Sequence, residues 1–140
     1  MRYLDTNIFL RALVQPVTPA GRRRHRACAA LFRRVGAGRE HVTTCEAVIA
    51  EVIYVLTSPR QYALSHEDAS ARLRPLLSLR GLHLLHKRVY QRTLDLFATY
   101  PHLDFADALL LAQMERTGEQ ELYSYDTDFD GLPSVARRAP

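Results

Sequence analysis

The sequence predicts an α/β fold with parallel strands, on three observations. Short runs rich in β-branched or apolar residues alternate with longer segments of helical spacing. The strand candidates are separated by one or two helices, as parallel neighbours require, and tight hairpin signals such as Asn-Gly are missing. A chain of 140 residues, 47% hydrophobic and 24% charged, has the make-up of one folded unit, so residues 1–140 are expected to form a single domain. At this length folding buries roughly two-thirds of the unfolded surface, enough for a core without disulfide staples.

Taken in order, Arg2 to Asp5 is a strand candidate and Asn7 to Val14 an apolar helix. The turn region Gln15 to Gly21, with Pro16 and Pro19, stops that helix. A second helix runs from about Arg22 to Val35, with Ala27, Ala30 and Leu31 on one side and arginines elsewhere, and Gly36 and Gly38 end it. His41 to Cys45 has strand composition, and Glu46 to Leu56 follows with helical apolar spacing up to Pro59. Ser65, with Asp68 three residues on, marks a capped helix start. That helix runs to about Leu79, with Pro75 as an internal blemish. Leu82 to Leu85 is a third strand, Lys87 to Thr99 a helix ending before Pro101, and Asp104 to Thr117 a helix stopped by Gly118. Glu121 to Tyr125 makes a fourth strand, and the tail around Pro133 leaves room for one edge strand.

Cys28 and Cys45 are neither close-spaced nor grouped with histidines, so both are expected to be small buried hydrophobes in a reducing compartment. No apolar run approaches the ~18 residues that span a bilayer, so no membrane role is expected and the protein is placed in the cytoplasm. There are 19 basic side chains against 15 acidic, a formal net charge of +4, and Lys87 is the one lysine. The excess of arginine hints at nucleic acid. A phosphate-binding glycine loop ending in Lys-Ser/Thr, HExxH, GxSxG and a complete dinucleotide fingerprint are all absent, which removes support for nucleotide hydrolysis and serine chemistry.

In open parallel sheets ligands bind beyond the carboxyl ends of the strands. Asp5 ends the first strand and Asp126 follows the fourth, while Asp107 and Glu51 are acids set among hydrophobic residues. A carboxylate in such a setting needs a partner, and four converging carboxylates repel one another without a cation. Mg2+, or alternatively Mn2+, suits an all-oxygen set of this kind. Taken singly, each acid has a plainer role: Asp5 and Asp126 as caps, Asp107 at a helix N-terminus, Glu51 paired with an arginine. Four at the strand ends and facing helices of one fold favour the metal pocket.

The strings YLDTNIFL, IAEVIYVL, DFADALLLA and YSYDTDF, in that order, closely resemble the four acidic motifs of the PIN domain, and together they cover essentially the whole chain. Length and motif order also resemble the single-domain ribonuclease toxins of VapC type. The resemblance implies a three-layer α/β/α fold around a central parallel sheet of four to five strands. It implies Asp5, Glu51, Asp107 and Asp126 as catalytic, metal-binding acids, with Asp5 and Asp107 the first choices as direct ligands. Thr6, Asn7 and Ser124 match residues that support the acids or position substrate, and Thr6 serves equally as a helix cap. Asp104 lies about 60° around the helix from Asp107, so either could face the site; the family pattern favours Asp107, the acid directly before an alanine and an apolar run. Asp128 is expected to order its loop or support the site from outside. Glu46, about 140° around its helix from Glu51, is expected to face solvent or an arginine.

The implied activity is metal-dependent hydrolysis of RNA phosphodiester bonds without a covalent intermediate. The six histidines form no recognised set, and His83 and His86 are expected to be structural or exposed. Arg22, Arg23, Arg24 and Arg26 concentrate charge on the second helix, where they suit an RNA backbone or, equally, a solvated face or an acidic partner segment. Tyr54, Tyr62, Tyr90 and Tyr100 are expected to be half-buried packing residues. The VapC likeness further implies a homodimer and a cognate antitoxin protein. The alternatives are a PIN-like RNA-processing nuclease that is not a toxin, and a non-catalytic RNA-binding or scaffold domain with a degenerate site. A phosphohydrolase with Asp5 as nucleophile would want a second acid two residues on, where Asn7 stands.

Overall fold

The computed structural model describes residues 1–140. Strand β1 (Arg2–Tyr3) leads into helices α1 (Thr6–Leu13) and α2 (Pro19–Gly36), and β2 (Val42–Thr43) into α3 (Glu46–Thr57) and α4 (His66–Leu77). Then β3 (Leu82–His83) leads into α5 (Lys87–Thr99) and α6 (Phe105–Thr117). Strand β4 (Glu121–Tyr123), a 3-10 turn (Thr127–Phe129) and β5 (Ala136–Arg138) complete the chain. Every strand pairing is parallel. Arg2 stands opposite Val42, Val42 opposite Leu82, and Glu121 opposite Ala136. The architecture is mixed α/β with parallel strands, in line with the three-layer arrangement expected. Its five strands are hydrogen-bonded as β1-β2-β3 and, separately, β4-β5.

The strands are shorter than their sequence runs because other groups take over the ladder. Beyond Tyr3, the Leu4 amide still donates to the Thr43 carbonyl at 2.8 Å, but the Leu4 carbonyl accepts from the Thr44 hydroxyl at 2.8 Å. At β3 the chain turns away after His83. His86 adopts a left-handed backbone (φ 55°), and the Lys87 ammonium donates to the carbonyls of Leu79 (2.6 Å) and Leu82 (2.7 Å). This pulls the start of α5 back over the strand, and burial holds the Lys87 ammonium below its ordinary pKa. The tail supplies the edge strand as β5.

Helix α2 begins at Pro19, three residues earlier than its arginines indicate. Thr18 caps it, accepting from the Gly21 amide at 2.9 Å, and Pro19 sits at the first helical position, where its missing N–H costs nothing. Ser65 caps α4 as expected, accepting from the Asp68 amide at 3.0 Å, and Pro75 is tolerated close to the end of that helix. One continuous core joins all layers, with Phe9, Ile49, Ile53, Leu73, Leu82, Leu94, Phe97 and Leu103 fully buried. Each such side chain contributes about 1.5–3 kcal/mol of burial. Phe9 of α1 meets Phe32 of α2 with ring centroids 5.5 Å apart.

Two expectations need correction. Cys28 is buried, but Cys45 is exposed, because it occupies the N-cap of α3 at the carboxyl edge of β2. Tyr90 and Tyr100 are half-buried against the core as expected, whereas Tyr54 and Tyr62 are exposed. No helix is long and apolar enough to cross a membrane.

Candidate active site

Asp5 is the second residue beyond β1 and the N-cap of α1, yet its carboxylate makes no cap hydrogen bond. Its Oδ2 accepts instead from the Asn7 amide nitrogen at 3.0 Å, so the side chain is aimed by its neighbour rather than spent on the helix. The plain capping role therefore does not account for Asp5. Thr6 is buried and its hydroxyl donates to Glu51 Oε2 at 2.6 Å, joining α1 to α3. Glu51 is exposed and pairs with no arginine; Glu46 on the same helix is also exposed and unpaired, with the Tyr90 phenol in its field.

The second group of acids gathers at the start of α6 and the end of β4. Asp104 is the N-cap of α6, and its Oδ1 accepts from the Asp107 amide at 2.8 Å. Asp107 returns the contact more weakly, its Oδ2 accepting from the Asp104 amide at 3.4 Å. Partial burial, the nearby Asp104 charge and the Asp126 charge together push the Asp107 carboxyl above its ordinary pKa. Asp126 follows β4 and heads the 3-10 turn. Its Oδ1 accepts from the Asp128 amide and its own amide donates to the Ser124 hydroxyl, both at 2.9 Å. Asp128 is exposed, and its carbonyl accepts from His102 Nε2 at 3.1 Å. Its ordering of this loop is thus through the backbone, and His102, which pins the turn to the loop before α6, had no signal in the sequence.

Helix α3, which carries Glu51, packs against both α1, the helix that Asp5 precedes, and α6, the helix that Asp104 caps and Asp107 begins. No three histidine, cysteine or acidic side chains are arranged as a ready-made metal cage. The donor chemistry nonetheless suits a hard cation. The ion pairs of the chain occupy Glu40, Asp95, Glu115, Asp130 and Glu121, and none engages Asp5, Glu51, Asp104, Asp107 or Asp126. These five carboxylates stay unneutralised in a chain with net positive charge. The cleft of about 290 Å3 between α5, α6 and the C-terminal segment contains none of them. Arg22, Arg23, Arg24 and Arg26 are exposed along the first half of α2 and make no ion pair.

The fold defines a parallel α/β protein in which Asp5 and Asp126 stand just beyond the ends of β1 and β4. The PIN domain model matches residues 2–134, and the chain belongs to the PIN domain family. PIN domains are generally nucleases and typically use divalent metal ions. No curated protein matches the chain.

Proposed function

We propose that this protein is a Mg2+-dependent ribonuclease, with residues 1–140 as its catalytic unit. It hydrolyses RNA phosphodiester bonds as the toxin of a VapBC-type toxin-antitoxin pair. The observation that carries the reading is geometric: Asp104 and Asp107 bond one another at the start of α6, Asp126 at the end of β4 lies within reach of Asp107's field, and none of the three is paired with an arginine. Three carboxylates gathered without a cationic partner are suited to a dication.

In this reading Asp5, Asp107, Asp126 and Glu51 hold the ion, with Mn2+ able to substitute for Mg2+. When bound, the ion supplies charge stabilisation for the transferring phosphate. Asn7 keeps the Asp5 carboxylate turned toward the site, and Ser124 and Asp128 hold Asp126 at the mouth of β4. Thr6 occupies Glu51 Oε2 and leaves Oε1 free to accept the proton of the attacking water. The water oxygen forms a bond to phosphorus as one ester P–O bond breaks; the departing oxygen leaves with the bonding electron pair and takes a proton from solvent while Glu51 returns its proton to solvent, giving a phosphate monoester on one fragment and a hydroxyl on the other. Asp104, engaged in capping α6, tunes Asp107 by its charge.

The arginines of α2 supply salt-dependent affinity for the RNA backbone in the absence of a partner. A homodimer, a cytoplasmic setting and an antitoxin that covers the acidic edge complete the proposal. A small neighbouring reading frame encoding a DNA-binding protein is the genetic observation that supports the toxin role; its absence favours an RNA-processing nuclease. The biochemical test is RNA cleavage in Mg2+, in EDTA, and by Asp5→Asn. Cleavage is expected in the first alone, and equal activity in all three overturns the proposal.

A further inference from the structure

A groove of about 360 Å3 opens between α1 and the start of α2, beside the acidic edge. One of its lining residues is Asn7, whose side-chain amide donates to Asp5 Oδ2, so the groove and the candidate site share a residue contact. Leu10 of α1 and Val14, Pro16 and Val17 just beyond it supply the apolar lining, and Tyr62, from the loop between α3 and α4, also lines the groove with 44% of its surface exposed. The floor is bare because residue 21 is glycine: a Cβ there would meet Thr18 Oγ1 at 2.9 Å and stand 3.8 Å from Arg11 Nη1. Arg11 and Gln15 line the groove, and neither side chain has a hydrogen-bond or ion-pair partner elsewhere in the chain. No acidic side chain lines it, and the turn of α2 that follows Gly21 carries unpaired arginines.

We propose that this groove is a nucleotide subsite of the ribonuclease. It takes the RNA residue next to the scissile bond, with the Tyr62 ring against the base and Arg11 on a phosphate. Gln15 is the specificity-determining residue. The volume falls in the range of small-ligand sites, and an apolar wall with a few polar groups is the lining such sites use. An exposed aromatic residue stacks on any base, whereas a free carboxamide presents one acceptor and two donors and can tell base edges apart. A groove with a cation and no acid complements a polyanion. The inference rests on the ribonuclease reading for its substrate.

The test uses the full chain with a set of short single-stranded RNAs that differ in the base on either side of the cut. With Mg2+, Tyr62→Ala is expected to lower kcat/KM about tenfold or more, while Tyr62→Phe, which keeps the stacking ring, stays near wild type. Gln15→Ala is expected to flatten the base preference at one flanking position. In EDTA, binding of a fluorescent six-nucleotide RNA is expected to weaken in Tyr62→Ala and in Arg11→Ala. If the wild type cleaves RNA but the Ala variants match it in rate, base profile and affinity, the subsite is overturned while the ribonuclease reading stands. If no RNA is cleaved but binding in EDTA still falls in the variants, the ribonuclease reading fails and the nucleotide site survives. Unchanged RNA binding combined with capture of a protein segment in the groove overturns the subsite.

Discussion

The Thr6 hydroxyl donates to Glu51 Oε2 at 2.6 Å across 45 positions of sequence, and this bond fixes the one site acid that lies in mid-helix. Thr6→Val keeps the shape of the side chain and removes the donor. It is expected to cost about 1–2 kcal/mol in urea unfolding, since the acceptor is charged, and to reduce Mg2+-dependent cleavage about tenfold or more. Thr6→Ser restores the hydroxyl and is expected to restore the rate. A Val variant with full activity removes Glu51 from the proposed proton transfer.

Asp107 gives a pH dependence of definite sign. Its carboxyl titrates above the ordinary value in the folded protein, so the folded state binds that proton more tightly than the unfolded chain does. The ionised form therefore opposes folding. Its cost is fully present above the raised value and disappears as pH falls below the ordinary carboxyl pKa of about 3.9. In EDTA at pH 7, Asp107→Asn is expected to melt at or above the wild-type Tm, with the gap closing by about pH 4. Added Mg2+ is expected to raise the Tm of the wild type and leave that of the variant where it is. A variant that melts several degrees lower in EDTA at pH 7 contradicts this account.

Gly81, just before β3, is required for packing. A Cβ there would lie 2.2 Å from the Glu40 carbonyl oxygen and 2.6 Å from that of Val35, and both obstacles are backbone. The Gly81 amide also donates to the Val35 carbonyl at 3.0 Å, so the strands and α2 cannot part to make room without losing that bond. Gly81→Ala is expected to destabilise by about 3 kcal/mol or more, read as loss of soluble protein or a lowered urea midpoint.

The two thiols should separate cleanly. Cys45 is exposed and Cys28 buried, and burial also raises the Cys28 thiol pKa. Titration of the native protein with a disulfide reagent is expected to consume one thiol quickly and the second only on denaturation. Equal rates would place Cys28 at the surface.

What the sequence made legible was the alternation of elements and the strand-end position of the acids, because both follow from local pattern and from the parallel-sheet rule. The start of α2 was misplaced: prolines in the preceding turn read as breakers, whereas Pro19 occupies the one helical position that suits it. The exposure of Cys45 depends on its place at the N-cap of α3, two residues past β2, a tertiary fact with no local signature. The Thr6–Glu51 bond and the His102 anchor of the Asp128 loop are long-range pairings, so spacing along the chain carries no trace of them. The reciprocal contact of Asp104 and Asp107 was partly legible, since two acids three apart at a helix start can cap one another.

Lys87 ties the first turn of α5 to the carbonyls of Leu79 and Leu82, and as the one lysine it is also the one place where a lysine-specific protease can cut. In the native state its ammonium is held in place and its backbone is helical, so cleavage must wait for local opening. A single cut would leave Asp5 and Glu51 on one fragment and Asp104, Asp107 and Asp126 on the other. The chain can thus be divided into two complementary halves, neither of which carries the full set of acids, and docking of the halves can be followed by whatever binds between them.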